Sequence, residues 1–297
     1  MIWLSGTRGF IGSYLIRSLL STGYEVRCVS NSKTENSQII HIDFSEGDRI
    51  AEAIHKYGIP DTFIHLGWGN VYEPQSDVHL TSNVQDGKNL ISELFDHGLE
   101  KFVFLGSSSE YGSLTGILSE DMKPLPKITN YAKGKTEVCS FGTKLAGRLN
   151  KVFIHIRLFY TLGVGQRSSS LINQLYDCYL DKSIMNLSPC EHYRDYIYIS
   201  DVVKGITLLE KVNESGIVNL GSGSAIRLRN YVTLFWNYLG GDPKQLKFGE
   251  HLKPENEPEQ PFCYADLTRL RRLTGWIPSI SIEDGIKRTI SKMRDYQ

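Results

Sequence analysis

Ile2-Trp3-Leu4-Ser5-Gly6-Thr7-Arg8-Gly9-Phe10-Ile11-Gly12 is a short apolar run followed by three glycines, each separated from the next by two residues. Behind it Tyr14, Leu15, Ile16, Leu19 and Leu20 lie at helical spacing within residues 13–20. A glycine turn between a strand and a helix is the context in which backbone comes close to a pyrophosphate. The start of the helix then offers free N–H groups and a positive dipole end to the phosphates. Gly6, Arg8, Gly9, Phe10, Ile11 and Gly12 are therefore the first candidate dinucleotide contacts.

Outward from this turn the pattern repeats. Gly23 ends the first helix, and residues 25–29 read as the next strand. Further apolar strand runs are residues 62–65, 101–105 and 152–157, with helical stretches at 49–57, 84–97 and 131–145. Such alternation predicts an α/β fold with a doubly wound parallel Rossmann sheet. Beyond Arg157 the rhythm gives way to Gly/Ser-rich loops such as 163–170 and to shorter elements. The expected division is a dinucleotide-binding domain over 1–160, completed by part of 195–225, and a smaller C-terminal α/β substrate-binding lobe over 161–297.

The composition of the 297 residues limits what the fold can serve. Lys+Arg and Asp+Glu both number 33, so a protein coating nucleic acid or an anionic membrane is not expected, and any anion must sit in a local site. The five cysteines form no CxxC pair and suggest neither a disulfide framework nor zinc. His155 and His192 have no ligand-spaced partner, so no metal is expected. No run approaches the ~18 apolar residues of a membrane span. Gly6 follows the start too closely for a signal peptide, making the cytoplasm the expected location.

An NAD enzyme usually places an acid at the end of the second strand, where it accepts bonds from the adenosine ribose. With residues 26–29 as that strand, Ser30 takes the position, followed by Asn31, Ser32 and Lys33. A 2′-phosphate would meet hydroxyl, amide and ammonium groups there, with Arg8 nearby. NADP(H) is the expected cofactor, NAD the alternative.

Tyr131 and Lys135, four apart, share one face of a predicted helix. A phenol titrates near ~10, and an adjacent ammonium favours its ionised form, which suits Tyr131 for proton transfer. Ser107, Ser108 and Ser109 follow a strand at the carboxyl edge of the sheet, where open α/β sheets bind ligands. Ser107 or its neighbour is placed to bond the same substrate oxygen.

Together these segments resemble the extended short-chain dehydrogenases/reductases of the NAD-dependent epimerase/dehydratase family, which act on nucleotide sugars. The resemblance runs almost end to end. It takes in the glycine loop, Asp43, His65-Leu66-Gly67, Asn83-Val84, Asn89-Leu90 and Ser107-Ser108-Ser109-Glu110-Tyr111-Gly112. It continues through Glu120, Pro126, Tyr131, Arg157, residues 163–166, 194–203 and 219–223, then Ala265-Asp266 and Gly275-Trp276. It implies that Ser107, Tyr131 and Lys135 are catalytic. Asp43, Leu66 and Gly67 would join the cofactor contacts. Ser108, Tyr160 and Arg194 would touch substrate, Arg194 at the diphosphate. It also implies a homodimer built on the helices at 84–97 and around Tyr131, with Phe95, Val138 and Phe141 on that face or in the core.

Four positions depart from the family pattern: Tyr160, Leu162 and Val164 replace its usual asparagine, tyrosine and proline, and Asn256 replaces a second diphosphate arginine, with Lys253 the nearest cation. Dehydratases carry an acid/base pair directly after the catalytic hydroxyl, where this chain has Ser108 and Ser109; Glu110 is one place removed. The expected reaction is NADPH-dependent reduction of the C4 ketone of a nucleotide-linked 4-keto-6-deoxy sugar, dTDP first, in deoxysugar or polysaccharide precursor synthesis. The alternatives are a 4-epimerase with tightly bound NAD and a non-catalytic nicotinamide-binding regulator.

Overall fold

A computed structural model describes residues 1–30, 39–41, 48–125, 128–251 and 262–295. Ile2–Ser5 forms the strand its apolar residues predict, and all four residues are buried. The following helix, Phe10–Ser21, begins with Gly9 at the N-cap and stops before Gly23, whose φ of +84° suits a residue without Cβ.

Among the described residues seven strands form the main sheet, in the order Gly216–Leu220, Val152–Leu158, Lys101–Ser107, Thr62–His65, Ile2–Ser5, Val26–Ser30 and Ile39–His41. Each pairs in parallel with its neighbour, so the helices between them must cross the faces. Both faces are consequently buried, and residue parity sorts them. Trp3, Phe63, Phe102, Phe104 and Phe153 point to one side, towards Val84, Leu90 and Val138 of the helices Ser82–Asp96 and Asn130–Leu149. Phe63, Phe102 and Phe153 stack in succession across three strands, with ring centroids 5.3 and 5.8 Å apart. Ile2, Leu4, Ile64, Val103, Ile154 and Ile156 face the other way, against Leu15 and Leu19 and against Val202 and Ile206 of the helix Ile199–Glu210.

After Arg157 the sheet rhythm does break, but the segments include helices at Leu171–Leu180, Leu228–Leu239 and Ile282–Asp295. The described residues also form four two-stranded sheets, one pairing Tyr160–Leu162 with Tyr196–Tyr198. Phe95 and Val138 are buried in the aromatic-face core, with Phe141 half-buried against them.

Candidate active site

The carboxyl edge of the sheet opens into a cavity of about 650 Å³. Its floor is the glycine loop, which has no room for a side chain at Gly6 or Gly12. A Cβ on Gly6, whose φ is +74°, would lie 2.8 Å from the Gly67 nitrogen, and one on Gly12 would lie 2.1 Å from the Gly6 carbonyl oxygen. With no side chain at these glycines, backbone and a helix start line the cavity, the arrangement a pyrophosphate requires. Ser5 Oγ bonds His65 Nδ1 at 2.7 Å and accepts the Gly67 N–H at 3.3 Å, tying the first and fourth strands together under the loop. Burial, helped by the charge on Lys135, lowers the His65 pKa to about 3 and keeps the ring neutral.

Ser107, Tyr131 and Lys135 line the same cavity as Gly6, Arg8, Gly9, Phe10, Ile11, Gly12, Ser30, Leu66 and Gly67. Ser107 caps the short turn that ends its strand, its Oγ accepting the Ser109 N–H at 3.1 Å. Tyr131 enters on the first turn of its helix, which Thr129 caps by accepting the Ala132 N–H. Burial raises the Tyr131 hydroxyl well above the ordinary phenol range, Glu110 adds to this, and a hydrogen bond with Ser107 opposes both. Lys135 donates to the Leu105 carbonyl at 2.7 Å, with Nζ 4.0 Å from the Trp68 ring centroid and 4.5 Å from that of Phe104. Burial lowers the Lys135 pKa to about 7, against the pull of Glu110. Its ammonium lies 5.9 Å from the Tyr131 ring centroid.

Other expected site residues lie elsewhere. Ser108 is buried in the turn after Ser107. Tyr160 and Arg194 line a second cavity of about 310 Å³, with the Arg194 guanidinium 5.1 Å from the Tyr160 ring centroid and bonded to the Tyr193 carbonyl. Asp195 and Asp201 give their carboxylates to backbone amides, at Ser222, Gly223 and Ala265 and at Ser279 and Ile280. Asn31, Lys33, Asp43, Pro126, Lys253 and Asn256 lie outside the described residues. Among the described residues no group of three or more His, Cys, Asp or Glu is placed to hold a metal ion, and no helix is long and apolar enough to cross a membrane.

Two features escaped the sequence reading. His79 is fully buried, accepts the Trp68 Nε1–H at 3.0 Å and packs edge-on against Tyr131 at 5.3 Å. Glu110, His155 and Arg157 form a buried ionic cluster beside Ser107. His155 and Arg157 alternate on one face of an otherwise apolar strand, which was the available signal.

A doubly wound parallel sheet with a glycine turn after its first strand and a cleft at its carboxyl edge defines a Rossmann-type protein. The chain belongs to the NAD dependent epimerase/dehydratase family, whose description matches residues 2–221. It is 25% identical to a UDP-glucuronate 4-epimerase of Thermodesulfobacterium geofontis, over 97% of this chain and 94% of that one. It is also 25% identical to a dTDP-4-dehydro-6-deoxyglucose reductase of Escherichia coli, over 99% and 97%. Its fold matches that of the UDP-glucose 4-epimerase of Thermotoga maritima, solved with UDP-glucose, at a TM-score of 0.85 and 21% identity over 99% of both chains.

Proposed function

We propose that the protein reduces the C4 ketone of a nucleotide-linked 4-keto-6-deoxy sugar with NADPH, the dTDP sugar being the first candidate. The observation that carries this reading is Ser30, a hydroxyl where an NAD enzyme has its ribose-binding acid, lining one cavity with Arg8 and with Tyr131. An edge that ends in a hydroxyl tolerates a 2′-phosphate better than one that ends in a carboxylate. Relatedness to a dTDP-4-dehydro-6-deoxyglucose reductase along nearly the whole chain supports it. Dehydration is disfavoured because Glu110 is fully buried and engaged by His155 and Arg157.

In this reading residues 1–160, with part of 195–225, bind the dinucleotide, and 161–297 form the substrate lobe. The residues of the glycine loop would hold the cofactor's pyrophosphate, and the bound cofactor would supply the hydride. Ser107 donates a hydrogen bond to the ketone oxygen, and Tyr131 gives that oxygen its proton as the alcohol forms. Lys135, charged below about pH 7, stabilises the Tyr131 phenolate left behind. Arg194 binds the diphosphate and Tyr160 lies beside it, in the second cavity. A homodimer through the helices Ser82–Asp96 and Asn130–Leu149 completes the proposal and is checked by the mass in solution.

Loss of NADPH absorbance with freshly made dTDP-4-keto-6-deoxyglucose, against an NADH control, tests the reaction. NADPH-selective oxidation is expected, with kcat reduced about 10²- to 10⁴-fold in Tyr131→Phe. No oxidation with dTDP, CDP or GDP keto sugars, together with NAD⁺ released on denaturation, would favour the second reading. That reading is a 4-epimerase, which the equal identity to the UDP-glucuronate 4-epimerase supports.

A further inference from the structure

Next to Ser107 lies a cluster of charges that the proton transfer does not itself use. Glu110 accepts the Ser107 N–H at 2.8 Å. Its two carboxylate oxygens contact His155 Nε2 at 3.0 and 2.8 Å, and one accepts from Arg157 Nε at 3.2 Å. Glu110 and His155 are 0% exposed and Arg157 is 4% exposed. Space for the cluster exists because residue 106 is glycine: a Cβ there would come within 2.4 Å of both Glu110 Oε1 and His155 Nε2.

Burial by itself would neutralise Glu110 and His155, and their neighbours prevent it. His155 and Arg157 hold the Glu110 carboxyl below the usual carboxylate range despite burial. Burial likewise opposes the charge on His155, but Cys139 and Glu110 overcome it and raise its pKa to about 9. The groups around Glu110 come from three elements. Ser107 belongs to its own turn, His155 and Arg157 to the neighbouring strand, and Tyr131 and Lys135 to the helix above. Its negative charge acts on Tyr131 and on Lys135 in the same direction, raising both.

We propose that Glu110 is a positioning residue, held by His155 and Arg157, which orients Ser107 through its backbone amide and sets the electrostatic field at Tyr131 and Lys135. The inference rests on the reading that Ser107 and Tyr131 carry the proton chemistry. Glu110→Gln keeps the size and an acceptor for the Ser107 amide while removing the charge. His155→Gln keeps a donor to Glu110 and removes one of its two cations, while Arg157 and the Ser107 N–H still hold the carboxylate charged. A packing role would damage both variants alike, whereas a field moves them in opposite directions.

Lys135 ionisation is followed by NMR of ¹³C-labelled lysine in the full-length protein, with Lys135→Met to assign the signal. Its pKa is expected to fall by about half a unit or more in Glu110→Gln and to rise in His155→Gln. The alkaline limb of kcat/KM should move to lower pH in Glu110→Gln, with kcat down about tenfold and KM within about twofold. An unmoved Lys135 titration, or shifts of the same sign in both variants, overturns the proposal. Should Glu110→Gln not fold, His155→Gln decides, and anything but an upward shift overturns it. The NMR titration needs no substrate, so a wild type that reduces no keto sugar refutes the proposed reaction and leaves this test standing.

Discussion

At the residue scale, cofactor choice turns on Ser30, the last residue of the second strand, in the same cavity as Arg8 and the glycine loop. Replacing it by a carboxylate places like charge against a 2′-phosphate and offers an acceptor to a free ribose hydroxyl. Ser30→Asp should therefore lower the kcat/KM ratio of NADPH to NADH by about tenfold or more. Steady-state rates with the two cofactors measure this, and an unchanged ratio would remove Ser30 from the argument. Ser30 was readable because its place follows from strand order alone. His79 was not, since only the folded chain brings its ring against Trp68 and Tyr131.

Between elements, a small residue and one neutral histidine decide whether strands and turns fit. The Cβ of Gly106→Ala would overlap both the Glu110 carboxylate and the His155 ring, so the last turn of its strand must shift. Such overpacking costs about 1–3 kcal/mol, and a lower urea midpoint together with a lower kcat is the expected outcome. His65 joins two parallel strands through Ser5 and stays neutral in the folded protein, its pKa lowered to about 3. The unfolded chain takes up that proton near pH ~6.5, so the folded state loses stability as pH falls from there towards 3. His65→Asn removes this proton uptake while keeping an amide towards Ser5. Its stability difference between pH 7 and pH 4.5, from urea unfolding, should be smaller than that of the wild type. An equal or larger difference would show that other groups govern the acid limb.

Across the whole molecule, Asp195 connects distant parts of the chain. It is fully buried and accepts the backbone N–H groups of Ser222, Gly223 and Ala265 at 2.6, 3.1 and 3.0 Å, with the Ser222 hydroxyl at 2.7 Å. It thereby fastens the turn after the outer strand Gly216–Leu220 and the strand Cys263–Ala265 to the residue next to Arg194. Burial raises its pKa and these donors oppose the rise. Asp195→Ala leaves several donors without partners and should cost on the order of 3 kcal/mol or more. A fall in Tm of roughly 5–10 °C is expected, and a shift below about 2 °C would mean that water or a local rearrangement satisfies those amides.

The parallel sheet was legible because short-range patterns specify it: an apolar strand, three glycines and a helical stripe, repeated with the same alternation. That Ser107, Tyr131 and Lys135 line one cavity was legible for a related reason, since Ser107 ends a strand and Tyr131 and Lys135 lie four apart near the start of a helix. What lies around them was not. The pairing of Glu110 with His155 and Arg157 joins residues more than forty positions apart, and their charged state depends on burial. Lys135 at about 7 and His65 at about 3 likewise reflect desolvation, which exists only after the core closes. The sequence by itself determined the order of strands and helices and the residue types at the sheet edge. Tertiary structure alone decided which charges survive there, because the dielectric surroundings and partners of a side chain are properties of the packed chain.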